Sequence, residues 1–480
     1  MTPSHSVPAA LVDELVRIVG SDAVVRRDGE LRVYECDGYT LDKARPAVVV
    51  LPASTDEVVA VCRALFAHAV PLVPRGAGTG LSGGCLPLAA PVVVCTSRMN
   101  RILELDPVNR RAVVEAGVVN LSVSRAAAAH GLCYAPDPSS QMACTIGGNV
   151  AENSGGPHTL KYGVTTNHVL GLEMVLADGS VVELGGTVED GPGYDLTGIA
   201  VGAEGTFGIV TRATLRLVPL PPACKTLLAV FDTVAAASRT VSEIIRAGIV
   251  PAALEMMDQL IVGAVEAAYG FGFPTDAGAV LIVELDGVAE AVAGQVEQVQ
   301  AICRAGGASR VDVARDEAER QLLWKSRKRA FGAVGRLAPN YCTQDGVVPR
   351  GRVPEILECI LDVARRYELR IGNVFHAGDG NIHPILLYDE RNAGEVERVL
   401  AAGREILEAC VALGGSVTGE HGIGVEKIAQ MPLLFSEDDL ALMRRLRRVF
   451  DPLERVNPGK IFPTPGGCVE NVRPRRQVPL

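Results

Sequence analysis

The sequence predicts a mixed α+β protein in two parts, a turn-rich N-terminal unit and a C-terminal unit in which helices alternate with strands. Three observations carry that expectation. An apolar β-like run, a helix and a second apolar run follow one another between Ala47 and Val73. Three glycine-dense segments then sit beside short extended runs between Pro74 and Val210. After the break Pro219-Leu220-Pro221-Pro222 the pattern changes to long helical periods separated by apolar strands.

Taken in order, Leu11, Val12, Leu15, Val16 and Val19 recur at helical spacing. Asp13, Glu14 and Arg17 interrupt the apolar stretch that a signal peptide needs, so this is an amphipathic helix. Ala47–Leu51 reads as a strand. Ser54, with Glu57 three residues on, makes a capping box for a helix carrying Val58, Val59, Val61, Cys62, Leu65 and Phe66. Val70–Val73 resumes a strand and completes a βαβ-like opening. Short strands follow at Val92–Cys95 and Arg111–Val114, with a helix at Leu121–His130. Residues 136–218 read as turns and short strands, among them Gly171–Leu176, Val181–Leu184 and Gly208–Leu217. Beyond the proline break, helices are expected at Thr233–Ile249, Val288–Ala305, Val353–Tyr367, Ala393–Leu413 and Ser436–Phe450. Strands are expected at Thr226–Phe231, Val280–Leu285 and Asn373–His376.

Composition removes several classes of function. With 46 Lys+Arg against 56 Asp+Glu the net charge is −10, and no basic stripe interleaves with aromatics, so a nucleic-acid binder is excluded. At 48% hydrophobic the chain is not disordered, and at 4% aromatic its cores must be built from Ala, Val and Leu. The longest uncharged apolar stretches, such as Leu86–Cys95, run about ten residues and contain prolines, too short to span a membrane. The 12 cysteines include no CxxC pair, which argues against zinc ribbons, dithiol redox chemistry and a resident iron–sulfur cluster. They fit buried thiols in a reducing cytoplasm.

Gly78 to Gly83 formally satisfies GxGxxG, but Gly84, Pro87 and Pro91 follow where a dinucleotide fold needs a helix. The glycines still allow backbone N–H groups to close on a phosphate, with Arg75 at the edge; the alternative is a tight structural turn. Thr145 to Ala151, Asn153 to Gly156, and Gly202 to Val210 repeat the theme. Each places glycines and small polar side chains next to an extended run, as a cradle for a large phosphorylated cofactor would.

The segment from Phe375 to Pro384 reads as a hairpin with Gly378–Asn381 at its tip. His376 and His383 would then sit directly opposite one another. Thr418 to Gly424 brings Glu420 beside His421 between glycines. Two histidines and a carboxylate with an open position describe a catalytic divalent-metal site, with His421 left over as general base. The alternative is that the histidines merely pin a polar hairpin. Lys325, Arg327, Lys328 and Arg329 fall on one helix and read first as a solvated face.

Together the Pro74–Gly84 loop, the Pro136–Gly156 segment and the Gly202–Val210 segment resemble the FAD-binding domain of the vanillyl-alcohol oxidase / p-cresol methylhydroxylase (PCMH-type) superfamily. The C-terminal half resembles the cap domain of FAD-linked 2-hydroxyacid dehydrogenases, those of the glycolate-oxidase and D-lactate-dehydrogenase type above all. The implied fold is a PCMH-type FAD-binding domain plus an FAD-linked oxidase C-terminal α+β cap. The implied division is an N-terminal helical segment 1–45, FAD-binding domain 46–222, cap 223–430, helical return 431–465 and a flexible tail 466–480 with Arg473, Arg475 and Arg476.

The resemblance also implies roles. FAD is expected to be held non-covalently by Pro74, Arg75, Gly76, Ala77, Gly78, Thr79, Gly80, Leu81 and Ser82. Pro136, Asp137, Ser139, Thr145, Gly147, Gly148, Asn149, Ala151, Asn153, Ser154 and Gly155 add to this. So do Glu204, Gly205, Gly208 and Ile209, with Asn457 and Lys460 from the returning tail. His376, His383 and Glu420 would ligate a divalent ion, zinc, manganese or iron. His421 would be the base, Arg327 would grip the substrate carboxylate, and Asn381 matches a further polar position of the site. A substrate-contacting lysine of the hydroxyglutarate dehydrogenases falls at Thr343 here, which favours glycolate or D-lactate over a long dicarboxylate. The expected reaction takes a small 2-hydroxy acid to its 2-oxo acid, with the Cα hydride passing to FAD. The resemblance implies companion subunits, one of them iron–sulfur, that lead electrons to the quinone pool and would bring the chain to the inner membrane. A stand-alone D-lactate or D-2-hydroxyglutarate dehydrogenase, a non-redox FAD enzyme of this fold, and a non-catalytic flavin subunit are the alternatives.

Overall fold

Two sheets of different make carry the N-terminal half. The protein is described by a computed structural model over residues 7–189 and 191–463; the expected tail 466–480 lies outside the described residues. In the first sheet Val48–Val50 and Leu72–Arg75 both run parallel to Val92–Cys95, which lies between them. The βαβ opening is therefore present, with a later strand inserted at its centre. Val24–Val25, from the N-terminal segment, pairs antiparallel on the edge. All three valines of Val48–Val50 are buried, as befits a parallel strand covered on both faces. Helix Thr55–Ala67 is capped by the Ser54 hydroxyl, which accepts the Glu57 N–H at 3.2 Å. The Glu57 carboxylate accepts the Ala53 N–H at 2.8 Å, one residue before the position a capping box would use. Helix Ala9–Val19 packs on this helix through Leu11 and Leu15.

The second sheet is antiparallel, in the order Ile102–Asp106, Arg111–Glu115, Ile209–Arg216, Val169–Val175, Val181–Gly185. Ile209–Arg216 alternates buried and half-buried positions along its length, the period-two signature that made it legible. Turns and short strands are expected to dominate 136–218; three short helices, Ile146–Glu152, Thr159–Tyr162 and Leu196–Ala200, lie among them and are not foreseen by the sequence pattern. The Thr145 segment thus adjoins a helix, not an extended run. Gly147 and Gly148 weigh against helix intrinsically. Against that, Thr145 Oγ1 accepts the Gly148 N–H at 3.3 Å, and Ile146 and Val150 are fully buried in the sheet's core. Tertiary packing outweighs propensity.

Leu220–Pro222 separates the halves. Val218–Pro219 still pairs with Leu132–Cys133, whereas Ala223–Phe231 already belongs to an eight-stranded antiparallel sheet. Its order is Ala308–Val313, Ala223–Phe231, Ala279–Gly287, Ala253–Asp258, Arg370–His376, Asn381–Tyr388, Asn340–Thr343, with Gly346–Val347 also on Asn381–Tyr388. One face carries Phe231, Leu254 and Phe375 under helices Val234–Arg246, Ala289–Ala305, Val353–Arg366 and Ala393–Ala412. The other carries Val230, Val374 and Ile385 under Gln259–Tyr269 and Ala330–Val334. Helix Glu437–Phe450 then returns to the N-terminal half, where Phe450 stacks on Phe207 at 4.5 Å and Val456 bridges to Leu72. No helix among the described residues is long and apolar enough to cross a membrane. All cysteines among the described residues are free.

Candidate active site

A cavity of about 410 Å³ opens between the two halves, within the usual range for a small-molecule site. From the N-terminal half its wall takes Pro74 to Leu81, Ser139, Thr145, Gly147, Gly148, Asn149, Ala151, Ser154, Glu204, Gly205, Gly208 and Ile209. From the C-terminal half it takes Arg327, Lys328, Phe331, Tyr341, Thr343, His376, His383, Glu420 and His421, and Asn457 from the return. Segments scattered over both halves therefore meet at one place.

Bare backbone lines the first half of the cavity. Gly78 has φ +70°, and a Cβ there would stand 2.1 Å from the Arg75 guanidinium, so no other residue fits without displacing that cation. Arg75 is itself tied down, donating to Cys36 O at 3.0 Å and lying over the Tyr34 ring. A cradle of exposed N–H groups with a fixed cation at its rim suits a pyrophosphate.

The histidine hairpin differs from its expected register. The turn spans 377–380, so His376 pairs with Asn381 and His383 with Val374. His376 and His383 are diagonal neighbours on one face, not directly opposite; the loop closes one residue earlier than expected, with Gly380 at φ +83°. Their rings still meet edge-on at 5.2 Å. Both Nε2 atoms converge on Glu420 Oε1, at 3.4 Å from His376 and 3.3 Å from His383. Ligand atoms each about 2.1 Å from a tetrahedral ion lie about 3.4 Å apart, so the donor set fits a divalent cation. Glu420 is held well below the usual carboxylate range: burial opposes ionisation, and the two imidazoles override it.

His421 stacks on His383 at 5.0 Å, and its Nδ1 has no hydrogen-bond partner. Burial pushes its imidazole down to about 4, with the nearby Asp345 charge pulling the other way, which leaves a neutral ring able to accept a proton. Asp345, fully buried, accepts from the backbone N–H groups of Gly419, Glu420 and His421, from Thr418 Oγ1 and from Asn381 Nδ2. Gly419 permits this closeness, since a Cβ there would fall 1.6 Å from Asn381 Nδ2. A second group of potential ligand atoms, from Asp345, His383 and His421, shares His383 with the first.

On helix Glu317–Lys328 the expected solvated face is divided. Lys325, Lys328 and Arg329 are exposed, while the Arg327 side chain is 2% exposed and lines the cavity. Its Nε stands 2.7 Å from Glu255 Oε2 without an aligned hydrogen bond, and Glu255 Oε1 is 2.6 Å from His376 Nδ1. Thus one buried carboxylate backs both the arginine and a histidine of the site. Glu255 and Asp345 are neighbours of the site that sequence reasoning missed. The only signals were a glutamate inside the apolar run 252–257 and an Asp-Gly pair that reads as a turn.

Some expected residues stand behind the wall. Lys460 Nζ donates to Leu86 O at 2.6 Å and to Asn457 Oδ1 at 3.0 Å. Asp137 holds His158 Nδ1 at 2.9 Å, Pro136 O accepts from Asn120 Nδ2, and Asn153 Oδ1 accepts the Thr166 N–H. Ser82 O accepts the Val425 N–H, and Gly155 lies against Glu420. Asn381 faces Asp345.

Both halves of the chain match families of flavin-linked proteins. Residues 46–185 match the family described as FAD binding domain, and residues 220–461 the family described as FAD linked oxidases, C-terminal domain. The glycolate oxidase subunit GlcD of Escherichia coli (strain K12) is 48% identical over 447 residues, 93% of this chain and 90% of that protein. A D-lactate dehydrogenase of Archaeoglobus fulgidus is 34% identical, covering 88% of this chain and 95% of that protein. The structure of 4-ethylphenol oxidase from Gulosibacter chungangensis superposes with a TM-score of 0.79 at 19% identity, over 96% of this chain and 99% of that one. The chain belongs to the FAD-linked oxidases and is an FAD-linked oxidoreductase homologous to glycolate oxidase subunit GlcD.

Proposed function

We propose that the chain oxidises a small 2-hydroxy acid, glycolate or D-lactate, to the 2-oxo acid, as the catalytic subunit of a glycolate-oxidase-type assembly. The observation that carries this is the meeting, in one cavity, of the glycine cradle, a buried arginine and the His376–His383–Glu420–His421 cluster. In this reading 46–222 is the FAD-binding domain, 223–430 the cap and 431–465 the return.

The cradle of Pro74 to Leu81, with Thr145, Gly148, Asn149, Ser154 and Gly205, would hold FAD non-covalently. When bound, FAD supplies the acceptor for the hydride lost from the substrate carbon. His376, His383 and Glu420 would hold a divalent ion, which would supply Lewis-acid chemistry there. Arg327 binds the carboxylate and fixes which face of the acid meets the cradle. His421, neutral in its buried setting, takes the hydroxyl proton. Phe331, Tyr341 and Thr343 line the same cavity, where Lys328 is a second cation from the Arg327 helix, and Thr343 offers none of its own. Electrons then leave to companion subunits, one of them iron–sulfur, in a reducing cytoplasm at the membrane surface.

Steady-state oxidation with an artificial dye acceptor tests this reading. Turnover of glycolate or D-lactate, lost after chelation and restored by a divalent ion, is the expected result. Turnover that ignores chelation removes the ion from the mechanism, and no turnover of either acid removes the substrate class.

A further inference from the structure

We propose that the reaction centre is held in place by two buried carboxylates, one from each half of the molecule, with Asp345 and Glu204 as the positioning residues of the Thr418–Gly424 loop. The inference rests on the functional reading above for the roles of Glu420 and His421, and adds what places them. The loop has no helix or strand of its own. Its backbone donors need partners all the same, because a buried unpaired N–H is costly.

Six consecutive N–H groups find those partners on three side chains, five of them on the two carboxylates and one on the Thr418 hydroxyl. Gly419, Glu420 and His421 donate to Asp345 Oδ2 at 2.9, 3.1 and 2.8 Å. Gly422 donates to Thr418 Oγ1 at 3.0 Å, and that hydroxyl donates to Asp345 Oδ2 at 2.7 Å. Ile423 and Gly424 donate to Glu204 Oε1 and Oε2 at 2.7 and 2.6 Å. No backbone carbonyl takes any of the six. Converging N–H groups demand a negative charge, and an amide could serve only some of them while turning its own NH₂ toward the rest.

Each carboxylate is also built into a different wall. Asp345 accepts Asn381 Nδ2 at 3.0 Å and stands 3.8 Å from His383 Nδ1, so the loop and the histidine hairpin share one anchor. Glu204 lines the cavity, adopts φ +49°, and has its carbonyl held by Asn457 Nδ2 at 2.8 Å. The base and a metal-ligating carboxylate therefore hang between the cofactor wall and the cap. Groups that orient ligands in this way typically affect ion affinity or activity by about 10–100-fold.

The test uses the full FAD-loaded chain, with Asp345→Asn and Glu204→Gln compared by amide hydrogen exchange, Mn²⁺ binding against a chelator, and steady-state kinetics with glycolate. Asp345→Asn should speed exchange at 419–422, and Glu204→Gln at 423 and 424. Each should lower kcat and Mn²⁺ affinity by about tenfold or more, with KM within about threefold, and Asp345→Asn, at a residue that stands off the cofactor wall, should leave FAD stoichiometry unchanged. Thr418→Val, which removes only the hydroxyl relay, should speed exchange at Gly422 and lower Mn²⁺ affinity less; it keeps the test open should Asp345→Asn not fold. Protection that survives loss of the carboxylates would overturn the proposal. So would faster exchange with kcat and Mn²⁺ affinity held within about twofold. A wild-type chain that oxidises no 2-hydroxy acid would remove the functional reading alone, and the exchange data would still decide the anchoring.

Discussion

Glu255 and His376 are joined by a 2.6 Å contact between Oε1 and Nδ1, across 121 positions of sequence. A carboxylate only accepts, so Nδ1 carries the hydrogen and Nε2 is the nitrogen turned toward Glu420 and His383. The other oxygen of Glu255 faces Arg327. Burial raises the Glu255 pKa, but His376 and Arg327 override it and keep the group ionised.

Glu255→Gln should therefore do two things. Leaving the buried Arg327 without its counter-charge is expected to cost about 3–5 kcal/mol in urea unfolding. Divalent-ion affinity should fall by about 10–100-fold in chelator competition. An unchanged unfolding midpoint would show that another group neutralises Arg327.

Arg327→Lys keeps a charge for Glu255 but removes the planar fork. Substrate binding should weaken by roughly 1.5–3 kcal/mol, read as a rise in KM for glycolate. Unchanged KM would remove Arg327 from the substrate site.

Thr343→Lys tests the wall beside Arg327, where Thr343 lines the cavity. A new cation there should improve kcat/KM for D-2-hydroxyglutarate relative to glycolate by roughly 1.5–3 kcal/mol, the scale of a charged hydrogen bond. No change in that ratio would mean that Thr343 does not face the distal end of the substrate.

A separate network ties the two halves together and sets a pH dependence. His158 bonds Asp137 at 2.9 Å and Glu284 at 3.1 Å, and Glu284 also takes Trp324 Nε1 and Thr226 Oγ1. Burial pulls the His158 pKa down, but Asp137 and Glu284 push it up to about 10. The folded state thus binds a proton that the unfolded chain releases above 6.5. That stabilisation is complete below pH 6.5, decays above it and is gone beyond about 10. Glu284 is opposed by burial but held down to about 2 by His158, so its contribution is present above 4.5 and lost as pH falls through about 2. Thermal midpoints of the wild type should fall between pH 7 and 10 more steeply than those of His158→Gln. Parallel curves would remove His158 from the linkage.

What could be read in advance follows a physical divide. The glycine loop, the period-two strand Ile209–Arg216 and the histidine hairpin are local patterns, and local pattern exposed them. The hairpin's register slipped because loop length was read from glycine placement, whereas the turn closes on His376 and Asn381. Helix Ile146–Glu152 stayed hidden because its glycines oppose it and only Thr145 and the sheet core make it form. The roles of Glu255 and Asp345 could not be read from a glutamate in an apolar run and an Asp-Gly pair, since the groups that give each its role lie dozens of positions or more away. Arg327 was separable from its cationic neighbours only through the family resemblance, and burial is what distinguishes it.

The most direct test of the account is an anaerobic titration of the yellow FAD-loaded chain with glycolate, D-lactate, L-lactate and D-2-hydroxyglutarate, before and after chelation. Bleaching of the flavin by glycolate or D-lactate, abolished by chelation and restored by a divalent ion, is the expected result. A flavin that stays oxidised with all four acids, ion present, would contradict it.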